Sequence, residues 1–268
     1  MPAEAPPSGG RLLVEEDGDA LVVRIANEAR ANALDERILE DLVSLLGGPR
    51  PAAVRVVLLG GAGDRHFSAG LDLGDRPADE LVAHLQAGER LLGRAARAIA
   101  DCPRPVIGVL NGAALGGALE LAMACDWRVA RRGARLGVPA ARLGVVYSPD
   151  GLRRFVAAMG PARTKRLFLT GRPVEADEAL ALGLVDEVAA DDAALWAAAR
   201  AAAADVAAGA PLAVEGTRAI IAAIGEGAPW EVIEETAAPA RSRAFGSDDF
   251  KEGLAAFRER RAPRFRGR

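Results

Sequence analysis

The sequence predicts an α/β protein with a helical C-terminal part. Three observations carry that class: short aliphatic, β-branched runs that stop at glycine or asparagine, long helical periodicities between them, and an alanine-rich stretch followed by further helical segments. Residues 20–26 (Ala-Leu-Val-Val-Arg-Ile-Ala) form the first compact run. Residues 54–59 (Val-Arg-Val-Val-Leu-Leu) form the second and reach Gly60-Gly61. Residues 105–110 (Pro-Val-Ile-Gly-Val-Leu) form the third and reach Asn111-Gly112. Glycine straight after a buried apolar run marks a strand exit. Helical periodicity fills 35–46 and 80–100, and the second helix must stop at Asp101-Cys-Pro103, because proline cannot continue it. Strand, helix, strand in this order implies right-handed crossovers on a parallel sheet.

From about Asp191 the character changes. Residues 191–208 are nearly all alanine, a strong helix former, with Leu195 and Trp196 marking a buried face. Helices at 211–224, 229–244 and 247–258 follow, separated by Gly and Pro. The expected organisation is a lead-in without order over 1–10, a sheet-based core over 11–205 and a helical region over 206–268. The lead-in has neither a basic start nor an apolar stretch and does not read as a signal peptide.

Composition narrows the function. The net charge is −3 with acids and bases interspersed, which argues against a nucleic-acid surface. No apolar run approaches the roughly 18 residues a membrane span requires. Two cysteines, Cys102 and Cys125, indicate no disulfide framework and fit a reducing cytoplasm. With only His66 and His84 besides, no zinc or iron site is expected. His66 reads as exposed and His84 as a solvated or packing residue of its helix.

Two segments carry chemistry. The first is Gly61-Ala-Gly-Asp-Arg-His-Phe-Ser-Ala-Gly70-Leu-Asp-Leu73. Small side chains at Ser68, Ala69 and Gly70 let a ligand reach the backbone, and the Leu71 N–H follows them. The second is Asn111-Gly-Ala-Ala-Leu-Gly116-Gly117-Ala-Leu-Glu120. It becomes helical at Gly117, where free N–H groups and the helix dipole favour negative charge. Glu120 lies one turn further on the same face, within reach of an enolate as acid or base.

Together these segments resemble the crotonase superfamily. Phe67-Ser-Ala-Gly-Leu-Asp-Leu73 is similar to its first signature, and the run from Asn111 to Glu120-Leu-Ala122, with Cys125-Asp126 following, is similar to its second. Asn32-Ala-Leu34, Gly144, Leu169-Thr-Gly171, the stretch from Ala179 to Asp186 and the end from Gly253 to Arg268 continue the likeness in order. The resemblance implies a spiral of ββα units with a C-terminal helical oligomerisation region, assembled as a trimer or a dimer of trimers. It implies an acyl-coenzyme A thioester substrate, with coenzyme A part of that substrate and no separate cofactor. Leu71 and Gly117 match the two N–H groups that hold the thioester oxygen as an enolate forms, and Glu120 matches an acid/base glutamate. Ala69, Gly70, Asp72, Leu73, Gly116 and Pro139 fall in the substrate-binding segments. Arg30 and Ala31 match the adenine end of the site, and Phe257 and Arg260 match residues that a neighbouring subunit supplies.

One departure stands out. Where hydratases of the family carry a second glutamate after a proline, this chain has Ala140, after Pro139. The next segment, Leu143-Gly-Val-Val-Tyr147-Ser-Pro-Asp150-Gly-Leu, is locally similar to methylmalonyl-CoA decarboxylases, which use a tyrosine at that place. Asp150 is open to two readings, an isomerase-type catalytic acid or a helix cap, and Tyr147 is either chemical or pocket-lining. Enoyl-CoA hydratase/isomerase chemistry, decarboxylation through Tyr147, and acyl-CoA binding without catalysis are the three functional expectations.

Overall fold

The structure is a computed structural model that describes residues 9–48, 53–74 and 77–268. The chain opens with β1 (Arg11–Asp17), β2 (Ala20–Ala26), α1 (Glu36–Gly47), β3 (Val56–Gly61), β4 (His66–Ser68) and α2 (Ala78–Ala100). There follow β5 (Val106–Leu110), β6 (Ala113–Leu115), α3 (Gly117–Ala124), β7 (Trp127–Arg131), β8 (Arg135–Gly137) and α4 (Pro149–Thr170). Next come β9 (Val174–Glu175), α5 (Ala176–Leu182), β10 (Glu187–Ala189), α6 (Asp192–Ala207), α7 (Pro211–Gly225), α8 (Trp230–Phe245) and α9 (Asp248–Glu259). Six strands form one sheet in the order β1-β2-β3-β5-β7-β10, and four form a second in the order β4-β6-β8-β9. The first sheet is parallel except for β1, which runs antiparallel to β2; in the second, only β9 is antiparallel. Each of β3, β5 and β7 passes directly into a strand of the other sheet and then into a helix. This is the ββα spiral.

The three expected strands exist because they are buried on both faces, which is why they read as unbroken aliphatic runs. In β2, Leu21, Val23 and Ile25 face a core shared with α1 to α4, while Ala20 and Val22 face Leu195, Trp196 and Ala199 of α6. The second run differs from expectation: Gly60 and Gly61 lie inside β3 rather than after it. A Cβ at Gly60 would stand 3.1 Å from the Trp196 ring, and one at Gly61 would collide with the His66 carbonyl oxygen. Those glycines answer close packing, not a turn. His66 is likewise half-buried on β4 rather than exposed.

The helix termini follow their caps. Asp35, Ser148, Asp191 and Ser247 each accept a hydrogen bond from the N–H three residues on. The cap of α4 is therefore Ser148, not Asp150, with Pro149 at the first helical position. Glycine at 160 (φ 75°) and Pro161 kink α4. Residues 1–8 of the expected lead-in lie outside the described residues; Gly10 is buried, and its N–H donates to Asp35 at 2.6 Å. The expected division at 205/206 falls in the last turn of α6, which packs on the main sheet. Among the described residues no single helix is long and apolar enough to cross a membrane.

Arg218 of α7 ties the C-terminal helices to the core. Its guanidinium pairs with Asp126 at 2.7 Å and donates to the carbonyls of Ile99, Ala100 and Cys102 at the end of α2. A cation there both satisfies the last carbonyls of α2 and complements its dipole.

Two buried asparagines position the loops. Asn111 accepts from Gly61 N–H at 3.0 Å and donates to the carbonyls of Gly61 and Gly63 at 3.1 and 2.8 Å. Asn32 donates to the carbonyls of Ala62 and His66, both at 2.9 Å. Asn32 sits in the left-handed region (φ 56°), which asparagine tolerates better than most side chains. Asn111→Ala strands one buried N–H and two carbonyls, so we expect a loss of about 2–3 kcal/mol, measured by urea unfolding.

Candidate active site

The two signature loops meet at Gly70. Its φ is +98°, and a Cβ there would lie 2.6 Å from the Leu115 carbonyl oxygen and 3.4 Å from the Gly117 nitrogen. Only glycine permits both the dihedral and the approach. The first loop is held from behind by Leu34, whose N–H donates to the Gly70 carbonyl and whose carbonyl accepts from Asp72 N–H. In such a parallel bridge the flanking groups face the partner, so the N–H of Leu71 itself faces the other way. The second loop turns through Gly116 (φ 55°, ψ −125°), whose N–H donates to Gly137 O, and α3 begins at Gly117. Among the described residues neither the Leu71 N–H nor the Gly117 N–H has a hydrogen-bond acceptor.

Both residues line one cavity of about 160 Å³. Of the residues singled out from the sequence, Ala69, Gly70, Leu71, Leu73, Gly116, Gly117, Glu120, Pro139, Ala140 and Tyr147 surround it. Two larger hollows, under the C-terminal tail and against α7, contain none of these. Glu120 projects from the first turn of the wholly buried α3 and is 2 % exposed. Burial raises its pKa above the ordinary value of 4.5; the facing Tyr147 hydroxyl and Arg154 offset part of that, while Glu89 and Asp150 add to it. The Tyr147 hydroxyl is buried, with no hydrogen-bond partner in good geometry among the described residues. Burial and the nearby Glu120 push the phenol well above its usual range, so it stays a neutral donor. Its ring rests edge-on against Phe168 at 5.1 Å. Gly151 closes the corner, for a Cβ there would meet Tyr147 Cε1 at 2.8 Å and Glu120 Oε2 at 2.9 Å.

An apolar cavity holding two free backbone donors beside a buried carboxyl suits a substrate whose oxygen gains negative charge. The sequence profile described as enoyl-CoA hydratase/isomerase matches residues 15–268. The chain belongs to that family. It is 32% identical over 256 residues to a short-chain-enoyl-CoA hydratase of Clostridium acetobutylicum, covering 93% of this chain and 95% of the relative. It is 33% identical over 271 residues to an (E)-benzylidenesuccinyl-CoA hydratase of Thauera aromatica, covering 96% and 99%. The crystal structure of an enoyl-CoA hydratase from Bacillus anthracis superposes with a TM-score of 0.87 at 30% identity, over 96% of this chain and 99% of that one.

Several residues named from the sequence lie elsewhere on this enoyl-CoA hydratase/isomerase fold. Arg30 and Ala31 flank the first loop: Arg30 pairs with Asp72 at 3.3 Å, and the Ala31 carbonyl accepts from Ala69 N–H at 2.9 Å. Asp150 does not line the cavity; its exposed carboxylate pairs with Arg97 of α2 at 3.1 Å. Phe257 is exposed on α9, and Arg260 caps that helix in the left-handed region; neither reaches this chain's cavity. His84 Nε2 donates to the Asp72 carbonyl at 2.7 Å, joining α2 to the first loop. Sequence reasoning missed Leu85, Glu89 and Leu92, the stripe of α2 that roofs the cavity. Helical spacing alone groups them, but nothing in the sequence says that this stripe faces a site. Neither cysteine takes part: both are buried, and burial pushes the Cys125 thiol up to about 12.

The raised pKa of Glu120 has a stability consequence. The folded state holds this proton more tightly than the unfolded chain, so the contribution of Glu120 is fully present below 4.5 and is lost as pH rises through its folded-state pKa. Glu120→Gln keeps the shape without the buried charge. The variant should melt higher than the wild type at pH 8, by about 2–4 °C for each kcal/mol relieved. The gap should close toward pH 4.5 in thermal melts across that range.

Proposed function

We propose that this chain acts on an acyl-CoA thioester by enoyl-CoA hydratase-type chemistry, stabilising a thioester enolate. The thioester oxygen accepts from the N–H groups of Leu71 and Gly117, and Glu120 moves protons at the α- and β-carbons. The observation that carries this reading is the pair of unpartnered backbone donors in one apolar cavity with a buried glutamate. Donors already in place cost no reorganisation as negative charge grows, and each contributes roughly 3–4 kcal/mol to the transition state. Hydratases dominate the named relatives, which supports addition of water over other enolate reactions.

A second reading has its own observation. The buried, unpartnered hydroxyl of Tyr147 is placed to meet a carboxylate that leaves as CO₂, and loss of CO₂ needs enolate stabilisation without a starting base. One experiment separates the readings: the pure protein is incubated with crotonyl-CoA, a branched enoyl-CoA and methylmalonyl-CoA, and products are followed by mass spectrometry. The hydratase reading expects water addition that falls at least about 10²-fold in Glu120→Gln. Water addition that survives this substitution overturns the role of Glu120. CO₂ loss that falls in Tyr147→Phe favours decarboxylation, and binding of all three without turnover leaves an acyl-CoA-binding homologue.

Assembly as a homotrimer or a dimer of trimers through the region 206–268 belongs to the same proposal. Ile221, Ile224, Trp230, Phe245 and Phe257 are all more than half exposed on its helices, more apolar surface than a lone subunit usually leaves uncovered. Light scattering at micromolar concentration should return three or six times the 27.8 kDa chain mass; a monomer refutes the arrangement.

A further inference from the structure

Among the described residues three polar side chains line the cavity: Glu120, Tyr147 and Glu89 of α2. All other lining residues are Gly, Ala, Pro, Leu or Val. We propose that Glu89 is the second carboxylate of the hydration reaction, entering from the α2 roof to do the work for which Ala140 has no functional group. The inference rests on the hydratase-type reading given above.

Placement carries the argument. Leu85, Glu89 and Leu92 fall at spacings of four and three, one face of a helix. That face packs against the two residues that carry the backbone donors. Leu92 covers Gly117, where a Cβ would meet its Cδ2 at 2.8 Å, and a Cβ at Gly88 would meet the Leu71 side chain at 3.5 Å. Glu89 is thus one turn from the residue that covers Gly117. Its charge is felt by both other polar members of the cavity, Glu120 and Tyr147. Among the described residues it makes no ion pair, although Arg97 on the same helix makes one with Asp150. An exposed glutamate on a helix is usually just solvated. This one is set in an otherwise apolar stripe that lines the same cavity as Glu120 and Tyr147. Asp150, the other acidic candidate near Glu120, is engaged on the outside by Arg97.

The two environments assign the roles. Glu89 is exposed and open to exchange with solvent, whereas Glu120 is buried and burial favours its protonated form. One water lies between them over the β-carbon. Glu89 takes a proton from it as the water oxygen bonds to the β-carbon. The C=C electron pair moves toward the thioester, whose oxygen is held by the Leu71 and Gly117 N–H groups. Glu120 then gives its proton to the α-carbon, and the enolate returns to a thioester. The sum is one water added. Glu89 ends protonated and Glu120 ionised, and proton exchange with solvent at the mouth restores both.

The test uses the full-length protein with crotonyl-CoA and four proteins: wild type, Glu89→Gln, Glu120→Gln and Glu89→Gln/Ala140→Glu. Glu89 is exposed, so its substitution leaves folding intact. We expect Glu89→Gln to lower kcat about 10²-fold or more with KM held within about threefold, and Ala140→Glu to recover at least about tenfold of that loss from the opposite wall. A Glu89→Gln kcat within about threefold of wild type, alongside an inactive Glu120→Gln, overturns the inference and leaves the hydratase reading standing. A change confined to KM also overturns it, since Glu89 would then only help binding. If wild type hydrates none of the enoyl thioesters, the underlying reading fails and takes this one with it.

Discussion

At Gly70 and Gly117 two backbone segments that leave different strands come so close that no side chain fits between them. The rest of the site depends on that approach. A Cβ at Gly70 would press on the Leu115 carbonyl and separate the two N–H groups that line the cavity. The approach is held by groups outside the cavity: Leu34 grips the first loop by both of its backbone groups, Asn32 and Asn111 fasten the β3–β4 turn, and Gly116 is bonded to Gly137. Hydrogen bonds formed at folding fix the donors before any ligand arrives, which is the condition for electrostatic stabilisation without reorganisation.

The same region shows where stability is given up. Glu120 is one of few charged side chains buried in the chain, and its neighbours only partly compensate its desolvation. Other buried polar groups are far better satisfied: Asp249 accepts from the N–H groups of Arg266 and Gly267 at 2.7 Å, and Arg128 reaches two carbonyls and Asp186. A carboxyl and a phenol buried face to face in an apolar pocket, with no other hydrogen-bond partner among the described residues, are what a binding site keeps and a structural core eliminates.

Much of this was legible in the sequence, for identifiable reasons. The aliphatic runs of β2, β3 and β5 are buried on both faces, so they stand out by hydrophobicity alone. The C-terminal helices declare themselves through alanine, Pro and Gly punctuation. Of the ten residues around the cavity, Ala69, Gly70, Leu71, Gly116, Gly117 and Glu120 were legible from small side chains and a helix start, while Leu73, Pro139, Ala140 and Tyr147 came from the crotonase resemblance. Other features left no signal. Strands β4, β6, β8, β9 and β10 have three residues or fewer, too short for a period. Strand β1 ends in three consecutive acids and is an exposed edge, so it carries no strand period. Ser148 and Asp150 both have capping side chains, and only the dihedrals of the turn decide between them. Glu89 belongs to a helix whose composition is that of any amphipathic surface helix; its position over the cavity is a tertiary fact.

The anchorage of α2 has a mechanical consequence. The helix is about 35 Å long. Its C-terminal half is held by the core packing of Leu91, Leu92, Ala95, Ala96 and Ile99 and by the Arg218 fan, whereas His84 nearer its start bonds the Asp72 carbonyl. The packed half is the stiffer one, and the exposed half before Leu91 has more room to tilt. Glu89 lies about 16 Å along it, at the boundary between the exposed half and the packed half. The polar anchor at its far end is supplied by α7, a helix that does not line the cavity. The helix that roofs the cavity is thus tied, about three turns beyond Glu89, to the C-terminal region whose exposed apolar side chains suit a partner surface.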